Sequence, residues 1–137
     1  WAADALRAQA ARITWRAAYV DEAELQKTYA ATDYVLLPYA ADFFGSSGVM
    51  AYATALGKPM IATGHGCIGY RISRFGLGLT YPSGDITALE TLLTSLPDRS
   101  SDLYKQWQGN ARAYAAANAA DRHIALVRCC LEMETAP

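Results

Sequence analysis

Apolar residues recur along the chain in two alternating patterns, short continuous runs and longer stretches with helical spacing. Two runs, 34–37 and 59–63, are apolar almost throughout, which is typical of parallel strands with both faces covered. Between and after them, apolar residues lie three or four positions apart, as on the buried face of a helix. This alternation predicts an α/β layered fold with a mainly parallel sheet flanked by helices.

The first part of the chain is predicted to form helix, strand and helix. Good helix formers dominate 2–11, and 13–15 is a short β-rich run. Asp21 is placed to cap the second helix, with Glu24 three residues later as in a reciprocal capping box. The buried face of that helix is expected to carry Leu25 and Tyr29.

The middle of the chain holds the two apolar runs. The run 34–37, stopped by Pro38, is predicted to be a central strand. Ser47 is predicted to cap the following helix, and Gly57 stands where that helix should end. The strand 59–63 follows directly. The buried stripe of the helix is expected to consist of Val49, Ala53 and Leu56.

The last part of the chain is predicted to be mostly helical. We assign no helix to the glycine-punctuated stretch 64–78, which leads to a short strand at 79–81. Asp85 is placed to cap a further helix. Three apolar stripes are expected on the closing helices: Ile86, Leu89, Leu92, Leu93 and Leu96; then Leu103, Trp107, Ala111 and Tyr114; then Ile124, Val127 and Leu131.

Composition narrows the class of protein. With 137 residues, 53% of them hydrophobic, the chain can bury one core and forms one domain, 1–137. A net charge of −1 argues against nucleic-acid binding. No apolar run reaches the roughly 20 residues of a membrane helix. The odd number of cysteines (Cys67, Cys129 and Cys130) favours reduced thiols and a cytoplasmic protein, and no metal-binding spacing occurs. Because the chain opens in a predicted helix without an initiator Met, we expect it to be a piece of a longer polypeptide.

Candidate chemistry is concentrated after the strand 34–37. Ligands of open α/β sheets bind beyond the carboxyl ends of the strands. There, Gly45-Ser46-Ser47-Gly48-Val49 leads into a helix, whose first amides have no internal partner and favour an anion such as a diphosphate. The alternative is an ordinary capped helix with a glycine turn, since the segment is neither a P-loop nor a dinucleotide fingerprint.

The order of several motifs resembles a known family. The segments 33–39 (DYVLLPY), 45–49 (GSSGV) and 57–62 (GKPMIA), followed by glycines and PSGD at 76–85, are similar to the carboxy-terminal domain of retaining GT-B glycosyltransferases, the group 1 family. The resemblance runs from about Ile13 to Leu96. It implies a three-layer Rossmann-like domain that lacks its first strand and the amino-terminal acceptor domain.

The resemblance also implies a function. The domain would bind a nucleotide-sugar donor, with the amides of 45–49 receiving the diphosphate and sugar hydroxyls. Tyr19 and Val20 would pack on the base. The acceptor hydroxyl would attack from the front face, and the protein would act by positioning and electrostatic stabilisation. The nucleotide sugar is the co-substrate, and no other cofactor or metal is expected. The missing half would supply the acceptor site and any peripheral contact with a membrane.

Two positions depart from the family pattern. Members place glutamates before the glycine loop and in the following helix, where this chain has Phe44 and Tyr52. Tyr52 is a candidate for ribose binding through its phenol, and the alternative is a core tyrosine bonded to the backbone. Phe44 and His65 are candidate donor contacts, although a loop histidine without a chemical role is the alternative. Asp42 either replaces the first glutamate or is a solvated loop residue.

The remaining charged residues receive structural roles. The basic pair of the family lies upstream of this chain, and Arg7, Arg12 and Arg16 do not match its spacing. Arg71 and Arg74 lie near the expected cleft but are assigned to solvent, as is His123, and Lys58 is assigned to a helix end. The missing glutamates leave open a second hypothesis, a GT-B-derived binding or scaffolding domain without catalysis. A third is an unrelated doubly wound domain.

Overall fold

The computed structural model describes Thr14 and residues 16–119. The predicted helix 2–11, the strand 13–15 apart from Thr14, His123 and Cys129-Cys130 lie outside the described residues, as does the last helix with Ile124, Val127 and Leu131. The described part forms an α/β fold with three parallel strands and five helices. In chain order the elements are α1 (Glu22–Ala31), β1 (Val35–Leu37), α2 (Gly48–Ala55), β2 (Met60–Thr63), α3 (Gly66–Phe75), β3 (Gly78–Tyr81), α4 (Ile86–Thr94) and α5 (Asp102–Ala117).

The strands lie in the order β1-β2-β3, all parallel. Met60 stands opposite Val35 on one side and Gly78 on the other. The middle strand is therefore β2, and all four of its residues are buried. Within the described residues β1 pairs on one side only, and Leu36 is 42% exposed. The central position of 34–37 stays a prediction, because most of the predicted strand 13–15 lies outside the described residues. Apolar content does not specify strand order.

The main core packs against one face of β2. Met60 and Ala62 point to this face, and Ile61 points to the other, since side chains alternate along a strand. Ile61 is only 1% exposed, so both faces of β2 are covered. The buried cluster consists of Tyr29, Val35, Leu37, Met50, Ala53, Met60, Ala62, Ile68, Ile72, Leu77 and Ala111, and Leu25 packs against it.

Three predicted helix starts are confirmed by their caps. Asp21 accepts a hydrogen bond from the Glu24 amide (2.8 Å), Ser47 from the Met50 amide (3.2 Å), and Asp85 from the Ala88 amide (2.8 Å). The Glu24 side chain does not take the role expected of it in the capping box, which is to accept from the Asp21 amide. The Glu24 carboxylate instead accepts from the guanidinium of Arg16, 2.7 Å away.

The end of α2 is also where the sequence predicted it. Gly57 has a φ of 63° and donates to the Thr54 carbonyl (3.0 Å), while the Lys58 amide donates to the Ala53 carbonyl (2.8 Å). This is a Schellman motif, which requires the left-handed conformation that glycine adopts without strain.

The predicted buried stripe of α2 is only partly correct. Ala53 is buried, but Val49 and Leu56 are 42% and 38% exposed. Met50 and Thr54 occupy the buried positions instead. The helix is apolar almost all round, so its sequence offers no polar face to fix the orientation. Contact with α5 and the sheet decides it.

The helix α3 was not predicted. Its glycines suggested a loop, yet Ile68 and Ile72 are buried at helical spacing. A side chain at Gly69 would overlap the Gly64 backbone at the end of β2. The glycine therefore allows close contact between helix and strand, and it does not break the helix.

The two last described helices differ in burial. The helix α4 has no buried residue, and Ile86 and Leu93 of its predicted stripe are 63% and 44% exposed. In α5, Trp107 and Ala111 are buried as predicted, whereas Leu103 is 45% exposed and Tyr104 is buried in its place. Among the described residues no helix is long and apolar enough to cross a membrane.

Candidate functional site

The three loops at the carboxyl ends of the strands form one surface. His65, directly after β2, has its Nε2 2.7 Å from the carbonyl of Ala40 in the loop after β1. Ser83, after β3, donates from its hydroxyl to the Tyr39 carbonyl over 3.4 Å. The loop that leads to α2 is therefore fastened to both neighbouring loops.

Ser47 anchors the start of α2 from within. Its hydroxyl caps the Met50 amide, lies 2.7 Å from the hydroxyl of Tyr39, and is buried. The Tyr39 ring stacks on Phe43 at 4.2 Å between centroids. The Ser47 hydroxyl therefore has a structural role, since its two partners are internal.

The rest of the predicted loop is exposed. Gly45, Ser46 and Gly48 are accessible, and a Cβ at Gly48 would have open space around it. Within residues 16–119 the amides of Gly48 and Val49 have no hydrogen-bond acceptor. Gly45 has a packing reason as well, because a Cβ there would lie 3.1 Å from the Phe43 ring. The tip of α2 thus presents free amides at the carboxyl edge of the sheet, where an anion is favoured.

A cavity of about 670 Å³ runs from this tip along one side of α2. Ser46 and Gly48 line it, and Arg71 of α3 is its one charged lining residue within the described chain. Tyr114 and Asn118, at the end of α5, also line it. The half-buried side chain of Arg71 thus shares a cavity with the helix tip, and its assignment to solvent stays a prediction. Arg74 is exposed and lies over the Phe75 ring, 5.9 Å from its centroid.

His65 lies at the base of the same surface. Because a carbonyl only accepts, the Nε2 that contacts Ala40 carries a proton. The Nδ1 of the same ring is buried and has no partner in the described part of the chain. Phe44 lies edge-on to the imidazole, with centroids 6.4 Å apart, and is itself 71% exposed. The role of both residues as donor contacts stays a prediction.

Tyr52 has a partner that the sequence did not reveal. Its hydroxyl donates to the Glu22 carboxylate of α1 over 2.9 Å, and its ring stacks on Tyr29 at 6.1 Å. It is 39% exposed, so the alternative of a core tyrosine bonded to the backbone is wrong. The hydrogen bond to Glu22, then its negative charge, raises the pKa of Tyr52, and Tyr19 contributes weakly.

The predicted base-binding residues, Tyr19 and Val20, stand just before the cap of α1. Tyr19 is 96% exposed, and Val20 is half-buried. Asp42 is exposed on the loop after β1. Cys67 is a half-buried free thiol, and no group of three metal-ligating side chains occurs in the described ranges.

Sequence reasoning missed Glu22 and the cavity position of Arg71. Glu22 directly follows a helix cap, where an acidic residue is common, so the sequence offered no reason to assign it to the site. No local signal places it beside Tyr52, which is 30 residues further along the chain. For Arg71, the missed helix hid the signal, because helical spacing from the buried Ile68 and Ile72 fixes the direction in which the guanidinium points.

No protein-family model, curated protein or solved structure matches the chain. The interpretation of the site therefore depends on its motifs and geometry.

Proposed function

We propose that the chain is the nucleotide-sugar-binding half of a retaining GT-B glycosyltransferase, a three-layer Rossmann-like domain. The complete enzyme transfers a hexosyl group to a glycan or lipid-linked acceptor. One observation carries the proposal: the exposed tip of α2, with unpaired amides at Gly48 and Val49, lies at the carboxyl edge of a parallel sheet. Ligands of such sheets bind at this edge.

The electrostatics of the tip suit a diphosphate. The first turn of a helix carries about half a positive charge. Arg71 adds a full positive charge in the adjoining cavity. Together they offset part of the charge that develops on a nucleoside diphosphate as it leaves, which is how such sites stabilise a transition state.

The reaction then needs few groups from this half. An acceptor hydroxyl forms the new bond to the anomeric carbon, and the bond to the diphosphate breaks, with its electron pair going to the phosphate oxygen. The proton of the acceptor hydroxyl passes to the departing phosphate. The amino-terminal domain of the parent supplies the acceptor, and this domain holds the donor in place.

A second candidate has its own observation. Phe44 projects into solvent where the family has a glutamate, and Tyr52 is engaged by Glu22. The carboxylates that would contact the donor sugar and ribose are thus replaced by aromatic rings. This favours a GT-B-derived domain that binds a nucleotide or a partner without catalysis.

Binding is tested by titrating the 137-residue chain with UDP, GDP and inorganic pyrophosphate while recording amide shifts. We expect the largest shifts at 45–49. Gly48→Val shields the free amides, and we expect it to weaken binding about 10-fold, the loss of one charge-assisted hydrogen bond or more.

Gly109→Val is the matched control, because a Cβ there also has open space, on α5. It should leave affinity unchanged. Equal affinity of both variants and the wild type, or shifts confined to other loops, would remove the diphosphate assignment.

Turnover separates the two candidates. The longer parent protein is incubated with labelled UDP-sugars and GDP-sugars, and release of the nucleoside diphosphate is measured. Release with one donor supports the transferase. Binding at the tip of α2 without release from any donor supports the non-catalytic domain.

A further inference from the structure

The cavity on one side of α2 has room for a small molecule. Gly48, Ala51 and Ala55 share this side of the helix, and they line the cavity together with Arg71 of α3 and Tyr114 of α5. Its volume of about 670 Å³ lies within the range of roughly 300–1,000 Å³ that is usual for small-molecule sites. Because glycine and alanine have short side chains, the three helices meet here without filling the space between them.

The polar side chains of this lining are largely bonded within the chain. The Ser47 hydroxyl caps the start of α2. The Thr54 hydroxyl donates to the Ala51 carbonyl over 3.0 Å, and the side-chain amide of Asn118 donates to the Tyr114 carbonyl over 2.8 Å. A ligand in the cavity therefore meets a mainly apolar surface, which favours an apolar chain over a polar one.

Arg71 supplies the one charge on this surface within the described chain. Its side chain is half-buried, and its guanidinium has no hydrogen-bond or ion-pair partner among residues 16–119. A partly buried cation is stabilised by an anionic partner. The planar guanidinium binds a carboxylate through two parallel hydrogen bonds, and a carboxylate carries the single negative charge that balances one arginine.

We propose that this cavity binds a small carboxylic acid with an apolar chain. The carboxylate pairs with Arg71, and the chain packs against Ala51 and Ala55. The site goes beyond the proposed function, because it requires neither a nucleotide nor a sugar. Phe44, Tyr52 and His65, the other candidate donor contacts, do not line the cavity.

The first experiment separates the charge of the ligand from its chain. The 137-residue protein is titrated with octanoate, octan-1-ol and acetate while amide shifts are recorded. We expect octanoate to bind about 10-fold more tightly than octan-1-ol, because only the carboxylate forms charge-assisted hydrogen bonds, and acetate to show no binding. Hexanoate should bind more weakly than octanoate, by about 4-fold for each buried methylene that is removed. The shifts should lie at 48–55, 71 and 114–118.

Two pairs of variants locate the site. Arg71→Gln should lower the affinity for octanoate about 10-fold and leave that for octan-1-ol unchanged, whereas Arg74→Gln, at an exposed position of the same helix, should change neither. Ala55→Leu places a larger side chain in the cavity and should weaken the binding of both ligands. Ala116→Leu makes the same change at an exposed position of α5 outside the cavity and should weaken neither.

The contrary outcomes are equally specific. Equal affinities for octanoate and octan-1-ol, or an equal loss of both in Arg71→Gln, would overturn the pairing of a carboxylate with Arg71. Absence of octanoate binding, or shifts confined to residues outside the cavity, would reject the site, whether the space stays empty or another part of the chain fills it. Binding of UDP or pyrophosphate at 45–49 is measured separately, so either site can fail without the other.

Discussion

The two ends of the small sheet, where its strands begin and where they finish, differ in how fully their polar groups are hydrogen-bonded. At the amino edge, before each strand, polar groups are bonded to the chain's own carbonyls. At the carboxyl edge, the amides of Gly48 and Val49 and the Nδ1 of His65 are left without partners in the described residues. The first edge is built for stability and the second leaves room for a ligand.

The amino edge is closely tied together. The ammonium of Lys58 donates to the carbonyls of Ala30 (3.2 Å) and Thr32 (2.8 Å), and the Tyr104 hydroxyl donates to the Asp33 carbonyl over 2.9 Å. Lys58 is only 8% exposed, and burial lowers its pKa. Its backbone amide lies at the end of α2, as predicted, and its ammonium binds the end of α1, which was not predicted.

One glycine at each edge shows the same contrast, in the space that is available for a side chain. Gly78, at the start of β3, has a φ of 145°, and a Cβ there would overlap the Met60 carbonyl on β2. Gly48, at the tip of α2, has nothing within 4 Å of that position. A glycine at the amino edge is thus required by packing, whereas a glycine at the carboxyl edge keeps space open.

The largest expected effect is the difference in stability between two glycine-to-alanine variants, one at each edge. Gly78→Ala introduces both an overlap and a disfavoured φ, and we expect it to lower the free energy of unfolding by about 3 kcal/mol or more. Gly48→Ala should change it by less than about 0.5 kcal/mol. Urea unfolding measures both, and similar losses would contradict the contrast between the edges.

A smaller loss is expected at the buried lysine. Lys58→Met keeps the apolar stem but leaves the Ala30 and Thr32 carbonyls without their donor, which should cost about 2 kcal/mol. Lys105→Met is the control, because that side chain is 61% exposed. A loss no larger in Lys58→Met than in the control would show that the ammonium does not hold the end of α1.

The smallest effect concerns pH and a tyrosine of the amino edge. Burial, followed by the charges of Tyr104, Asp33 and Asp98, raises the pKa of Tyr34 from 10.0 to about 12. The unfolded chain loses this proton first, so the stability from Tyr34 is complete below pH 10 and is lost as the pH rises toward 12.

Tyr34→Phe should therefore unfold with a weaker dependence on pH between 10 and 12. At pH 7 it should lose about 1 kcal/mol with the hydrogen bond to the Pro97 carbonyl. Tyr70→Phe, at a side chain 63% exposed, is the control. An alkaline slope equal to that of the wild type would show that Tyr34 ionises equally in both states.

Much of the fold could be predicted from local signals. The capping aspartates and Ser47, the stop at Gly57 and the strands at 34–37, 59–63 and 79–81 agree with the structure within a residue or so. The failures came where the sequence was ambiguous. An all-round apolar α2 did not reveal its buried face, and glycines concealed α3.

The candidate site was only half predictable for the same reason. Glycine and serine before a predicted helix marked the loop 45–49, and its place at the edge of the sheet followed from chain order. The residues that lie beside the loop could not be predicted in this way. Arg71 and Glu22 come to α2 from α3 and α1, through contacts between segments that are far apart in sequence.

By itself, then, the sequence determined where helices begin and end, because a cap or a glycine stop acts over three or four residues of backbone. The tertiary structure alone decided which faces are buried, which strand is central and which charges meet beside α2. Those outcomes depend on packing between distant segments, where the burial of apolar surface outweighs local preference.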